Sequence, residues 1–545
     1  MSDPRDTAVA AAPSVEDEAR AFVEQVEARA DPLMRESATW SWEAATGGGQ
    51  EALERASQAR AAVNLLFSDA EGARKVRGWL EGGRVRDPLL RRRLELLDHE
   101  YTRNQLPPDT IRDLVRRGAD LEHVFHIFRS TFRGERLSNN ELLEAFQAST
   151  DSALRREAWE ASKEIGREVA EPLRELVRRR NAAARTLGFP NYYAMELHLQ
   201  ELGEDRLFAV LDEFRDRTDE PFRRFRQEMD ERLAERFGVG PDELRPWHWD
   251  DFFGQEAPSV SGRVELDTWF RERDLVQTAG EFFRGIGLPV DDVLARSDLF
   301  EREGKDQHAF CVDIDRQGDV RVLCNLRPNE KWMGTLLHEL GHAAYDRYVP
   351  RELPFSLRTI AHTLSTEAIA MYMGRLTRDP AWLRDVAGAE LDDAQAADIQ
   401  AQQRASMLVS ARWILVMVYF ERELYRDPER DDLNSLWWDL VERLQYVRRP
   451  EGRDAPDWAS KIHFSLSPVY YHNYLLGELM ASQVSARARR GVPQGRSIAG
   501  HPQVGGFLRE KIFTPGATLG WNELLVHATG EELTPRYFVD EFVGA

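Results

Sequence analysis

Cysteine is almost missing from this sequence: Cys311 and Cys324 are the only two in 545 residues. Two thiols cannot build a disulfide framework or a structural zinc site. Positive charge is in deficit as well. Lysine and arginine number 73 against 94 aspartates and glutamates, a formal net charge of −21. That balance excludes nucleic acid and anionic membrane surfaces as expected partners. Long apolar runs are lacking. The longest, Trp413 to Phe420, is far too short to span a bilayer and reads as a buried helix segment. The first residues lack a basic stretch followed by an apolar one, so no secretory signal is expected. With Met1 as the start, the expected location is cytoplasmic, where the cysteines stay thiols. Fixed-period repeats and low-complexity linkers are absent too. The length allows about three or four domains at roughly 150 residues each. With nothing marking a boundary, one domain over 15–545 is expected, with two subdomains flanking a cleft as the alternative, after a disordered 1–14.

What is present is mostly helical texture. The hydrophobic fraction, 42%, supports a substantial core. Helical patterns run over about 15–46, 51–82, 87–104 and 107–132. A long one starts at Asp151, a good N-cap, with Ile165, Val169, Leu173 and Val177 at helical spacing. Pro172 is expected to kink or divide it. The Arg178-Arg179-Arg180 run reads as a solvated face. Gly188-Phe189-Pro190 ends that helix, and another begins near Asn191. Arg245 to Asp250 reads as a core-anchored loop with His248 packed between tryptophans, and helix resumes over about 263–286. One β signal stands out. Residues 308–315 and 319–326 read as a hairpin around Arg316-Gln317-Gly318, with Cys311 and Cys324 facing each other. It either offers an edge to an extended peptide or serves as a structural flap. The fold class is therefore mainly α, with one small β-hairpin.

The chemistry concentrates in His338-Glu339-Leu340-Gly341-His342, an H-E-x-x-H motif inside a helical pattern. Residues four apart share a helix face, so the two imidazoles can hold one metal ion. Neutral imidazoles suit Zn²⁺, one per chain. Glu339 lies about 100° round from His338 and flanks the metal as a general base. The helix is expected over about 329–348, burying Trp332, Leu336, Leu340 and Ala344. Pro350 and Pro354 then force a turn. A second helix over about 355–377 carries Glu367 in apolar surroundings. Packed antiparallel, it brings Glu367 level with the histidines as third ligand; His362, on another face, is the competing candidate.

With these residues in view, the sequence resembles the angiotensin-converting-enzyme-like peptidyl-dipeptidases. It is more distantly similar to the thimet oligopeptidase and oligoendopeptidase F group. Both have H-E-x-x-H followed about 25 residues later by a glutamate ligand, as in Glu367. His308-Ala309 stands thirty residues before His338, like that first family's substrate-binding pair. Lys461-Ile462-His463 and Tyr471-His472-Asn473-Tyr474 match its downstream segments, with one extra residue between them. The resemblance implies a large multi-helix peptidase fold, two lobes around a deep cleft and a zinc ion on its floor. It implies that Tyr474 stabilises the oxyanion and His463 holds a substrate carbonyl. Lys461 and Tyr471 would bind the peptide's C-terminal carboxylate, and His308 and Ala309 its backbone. As plain residues, Lys461 also reads as a solvated lysine, and Tyr470, Tyr471 and Tyr474 as core aromatics. Two positions depart from the pattern. Met371 replaces an acidic residue that orients the zinc histidines, and Asn473 replaces a chloride-binding arginine.

The expected function is hydrolysis of short peptides with release of C-terminal dipeptides. Internal cleavage of oligopeptides comes second. Outside enzymology, the alternatives are an inactive metal-bound peptide-binding protein and a metal-free helical scaffold. A monomer satisfies the sequence.

Overall fold

The computed structural model describes residues 14–258 and 264–544. Apart from Ser14, the 1–14 expectation lies outside the described residues. Ser14 caps the first helix, accepting from the Asp17 N–H at 3.1 Å while the Asp17 carboxylate takes the Ser14 N–H. Four helices follow, Val15–Ala45, Gly49–Leu66, Ala70–Glu81 and Pro88–Arg103. They share an apolar cluster of their own, including Val23, Val26, Val76, Leu90, Leu94 and Tyr101.

The remaining helices enclose one much larger core, crossed by Glu164–Thr186, Glu204–Phe237, Asp393–Arg426 and His472–Ala488. The apolar run Trp413 to Phe420 is buried on every face within Asp393–Arg426. Each fully buried aliphatic or aromatic side chain of that run contributes about 1.5–3 kcal/mol. The N-terminal helices are tied to this body by polar bridges. Arg92 pairs with Glu201 and donates to Ala517 O at 3.0 Å, and Arg103 donates to Leu199 O at 3.1 Å. A cavity of about 570 Å³ lies between the two parts, lined by Glu27, Arg93 and Glu100 on one side and Arg316, His362 and Tyr470 on the other. Among the described residues no helix is long and apolar enough to cross a membrane.

The mainly α expectation holds, with local corrections. The helix expected over 107–132 ends at Ile127, and a second hairpin follows, Ser130–Phe132 paired with Glu135–Leu137. Its strands are short and half-exposed, so they carry no alternating apolar signal. The turn is made by Arg133 and Gly134, both at positive φ. Pro172 does not divide its helix. The break falls at Lys163, between Ser152–Ser162 and Glu164–Thr186, while Val169 and Leu173 anchor the proline turn in the core. In the later hairpin, Phe310–Asp313 pairs antiparallel with Val320–Leu323, and Cys311 stands opposite Val322 rather than Cys324. The two cysteines are offset by one pleat repeat and both are free thiols. His248 is buried; its Nδ1 accepts the Arg245 N–H and its Nε2 lies 2.9 Å from Ser152 Oγ.

Candidate metal centre

The helix carrying the H-E-x-x-H motif spans Glu330–Tyr348, with Asn329 as N-cap accepting from the Trp332 N–H at 2.9 Å. Leu336, Leu340 and Ala344 are buried as expected, and Trp332 is partly so. Its partner is shorter than the sequence suggested. A 3₁₀ turn, Phe355–Leu357, follows Pro354, and the α-helix runs only over Thr363–Gly374. The delay comes from His362, which is extended and serves as N-cap, its Nδ1 accepting the Leu364 N–H at 2.9 Å. Thus employed, His362 lies outside the metal-binding group.

The two helices pack antiparallel at van der Waals range. Gly341 makes this possible, because a Cβ there would come within 2.8 Å of the Ala370 Cα. Glu330 fastens the far end, accepting from Thr377 Oγ1 at 2.7 Å and from Arg378. This register brings His338, His342 and Glu367 together, with ligand atoms within 4.8 Å of one another. The Nε2 atoms of His338 and His342 are 3.2 Å apart, and Glu367 Oε2 is 3.8 and 3.9 Å from them. Bonds of about 2.0–2.1 Å set the corners of a tetrahedral zinc site about 3.3 Å apart, so the three donors fit. Electrostatics agree. Burial draws His338 down to about 4 and His342, also repelled by His338, to about 3, leaving neutral imidazoles. Burial, then Glu367, pushes Glu339 up to about 8, and burial raises Glu367. Two carboxyls crowded out of water in this way present the charge demand a dication meets.

The sequence left open what orients the histidines in place of the acidic residue that Met371 replaces. Thr366 takes that place for His342, its Oγ1 lying 2.8 Å from His342 Nδ1. A proton on Nδ1, donated to Thr366, leaves the Nε2 lone pair for metal. Met371 instead packs its sulfur against Gly477, where a Cβ would approach it to 2.8 Å. Thr366→Val keeps the shape and removes the hydroxyl. Metal affinity is expected to fall about 10–100-fold, read by competition with a chromophoric chelator. An unchanged affinity would remove Thr366 from this role.

The contact at Gly477 brings the helix His472–Ala488 onto Thr363–Gly374, near Glu367. Tyr474 sits in its first turn, 36% exposed, ringed by Tyr470 and Tyr471 at centroid distances of 5.5 and 5.2 Å. Burial, then the Glu367 charge, raises the phenols of both Tyr474 and Tyr470. His463 lies edge-on to Tyr471 at 5.1 Å and is drawn to about 4 by burial and then Lys461. Lys461 is not a solvated lysine. It is buried, with its ammonium 4.9 Å from the Phe253 ring and 5.3 Å from the Trp413 ring, donating to Gln255 Oε1 at 2.7 Å. Trp413 Nε1 donates to Tyr471 Oη at 2.8 Å, so Lys461 and Tyr471 share one wall. Gln255, 206 residues from Lys461, was not found in the sequence. Its loop is pinned by Asp251, whose carboxylate accepts the N–H groups of Phe253, Gln255 and Glu256.

The Phe310–Asp313 hairpin packs on the metal helix, with Cys311 near Asp346 and Glu339; burial, then those charges, raises its thiol. Val320–Leu323 is bridged on its far side to Asp298, which leaves the outer edge of Phe310–Asp313 without a strand partner among the described residues. Ala309 directly precedes that strand, half-buried. His308 is exposed, its N–H donated to Asp306 at 2.9 Å.

The chain is similar in sequence to known proteins. The family model described as angiotensin-converting enzyme matches residues 13–223, and that of peptidase family M3 matches residues 294–544. Carboxypeptidase 1 of Bacillus subtilis (strain 168) is 24% identical over 265 residues, covering 43% of this chain. The chain spans about half of that relative's length, 51%. One family model covers the N-terminal helices and the chain as far as residue 223, the other the helix Glu330–Tyr348 and the chain beyond it, and together with the carboxypeptidase relative they support a gluzincin peptidase family for this chain.

Proposed function

We propose that this chain is a zinc-dependent peptidase of short peptides that releases C-terminal dipeptides. His338, His342 and Glu367 would hold the ion. When bound, zinc supplies Lewis acidity for a water molecule and for the scissile carbonyl. Glu339 takes the proton of the attacking water and passes it to the leaving amine. The Tyr474 hydroxyl donates to the developing oxyanion, a contact of a kind worth about 2.7–4 kcal/mol. Neutral His463 donates to a substrate carbonyl. The free edge at Ala309 pairs with substrate backbone, with His308 at its entrance.

The observation that carries C-terminal recognition is the buried ammonium of Lys461, held by Gln255 beside Tyr471. A lysine in such a wall is a receptor for a carboxylate. The test is one peptide digested with a free and with an amidated C-terminus. The free acid is expected to be cut faster, through a lower KM, with a dipeptide as product. Equal rates and products would remove the argument. The lysine adds a pH signature. Burial, resisted by Asp251 and Glu256, lowers Lys461 to about 8. Below that value it is charged and above it neutral. Preference for the free acid should therefore fade as pH rises through about 8, read as the KM ratio of the two peptides. The name of the Bacillus relative, a carboxypeptidase, favours a second reading, removal of single C-terminal residues. The same digest separates it by product, and internal cleavage would ignore the amide.

A further inference from the structure

A second cavity, of about 320 Å³, lies between the helix Glu204–Phe237, the turns over 241–249 and the end of the helix Leu433–Gln445. None of its lining residues belongs to the metal site. It is lined by Arg223, Arg226, Arg245 and Arg448 against only Asp230 and Glu442. Glu442 is engaged by Arg449, at 2.7 Å, and Asp230 is ion-paired with Arg226 at 2.5 Å.

Arg226 is the unusual member. It is 4% exposed, and its guanidinium lies 4.7 Å from the centre of the Trp249 ring. Its Nε and Nη1 are buried with no hydrogen-bond partner. Unmet donors on a buried cation are costly, and they are what a missing acceptor leaves behind. Burial draws Arg226 down to about 10; Asp230 opposes this and Arg448 adds to it by repulsion. The other arginines are already oriented. Arg223 donates to Tyr446 Oη and Asp219, Arg245 to the carbonyls of Asp242 and Leu244 and to the Glu451 carboxylate, and Arg448 to Pro241 O and Asp242, so that the donors left unmet are those of Arg226.

We propose that this cavity binds a small oxyanion, a carboxylate or phosphate group, through Arg226 and Arg448. Forked guanidinium donors match the oxygens of either group. Trp249 and Tyr446 form apolar wall for whatever carries the anion. The site also has a route to the metal cleft. Trp249 precedes Gln255 by one short loop, and Gly254 packs against the Trp249 ring, which a Cβ would approach to 3.3 Å. An anion that fixes Trp249 steadies the loop that presents Gln255 to Lys461. That coupling rests on the reading of Lys461 given above; the binding does not.

The test is calorimetric titration of the zinc-loaded full chain with inorganic phosphate and with acetate, ionic strength being held constant with chloride. Saturable binding of at least one is expected, and the tighter of the two identifies the source as phosphorylated or carboxylic. Arg226→Met and Arg448→Gln should each weaken it about tenfold or more, the loss of one charge-assisted pair. Arg448 is half exposed, so its variant keeps the test intact should Arg226→Met fail to fold. No saturable binding, or binding unaltered in the variants and therefore assigned to the metal centre, would overturn the site. The saturating anion should also lower KM for the free-acid peptide in the wild type and not in Arg448→Gln. An unchanged KM would overturn the coupling alone.

Discussion

Glu339→Gln is expected to stop peptide turnover while the protein still holds its metal. Glutamine has the shape of glutamate and can fill the same buried position, so packing on the helix Glu330–Tyr348 is preserved. What it lacks is basicity. A positioned general base typically contributes about 10²–10⁴-fold, and the proposed mechanism gives Glu339 two proton transfers, so the loss should reach the upper end. His338 and His342 are untouched, and zinc per chain, read by atomic emission, should equal the wild type. Turnover within about tenfold of the wild type would give the proton work to another group. The outcome also separates an enzyme from a peptide-binding protein. A binder has no use for a base, and peptide affinity in the variant would match the wild type.

The second large effect is expected in Glu367→Ala, which should strip the metal. Glu367 supplies one of three donors at 3.8–3.9 Å from the imidazole nitrogens. Its loss should weaken affinity well beyond the about 10–100-fold that an orienting partner costs. His362→Ala is the matched control, since His362 spends its Nδ1 on the Leu364 N–H and should leave zinc content unchanged. Melting temperature gives an independent reading. Metal that binds only the folded state stabilises it by about 2.7 kcal/mol at a hundred times Kd, so chelator should lower the wild-type transition. In Glu367→Ala the chelator should change nothing. The metal-free variant need not be weaker than the metal-free wild type, because removing Glu367 relieves its repulsion of Glu339. Zinc retained in Glu367→Ala and lost in His362→Ala would reverse the assignment of the third ligand.

The two variants probe groups whose legibility differed. His338, Glu339 and His342 are visible because helical periodicity is local: four residues fix one face whatever surrounds them. Glu367 is visible because a glutamate among Ala, Ile and Met needs a reason to be buried. Thr366 carried no such signal. A threonine inside a helix is ordinary, and only the close packing at Gly341 brings its hydroxyl to His342. His362, the competing candidate, is the opposite case. Its residue type suits a ligand, while its backbone makes it a cap. The hairpin Ser130–Phe132 with Glu135–Leu137 escaped because its half-exposed strands follow a helix without apolar alternation.

The sequence by itself determined the helical class and the shared helix face of His338 and His342, which are properties of residue type and short spacing that water and the backbone read locally, while the segment bearing Tyr471 and Tyr474 stood out only through its family resemblance. Tertiary structure alone decided that His342 meets Thr366 through Nδ1 and that Lys461 is buried against Gln255, 206 residues away. It also decided the arginine-lined cavity, whose members come from three separate stretches of chain. Such contacts are set by how helices pack, a property of the whole core rather than of any one stretch of it.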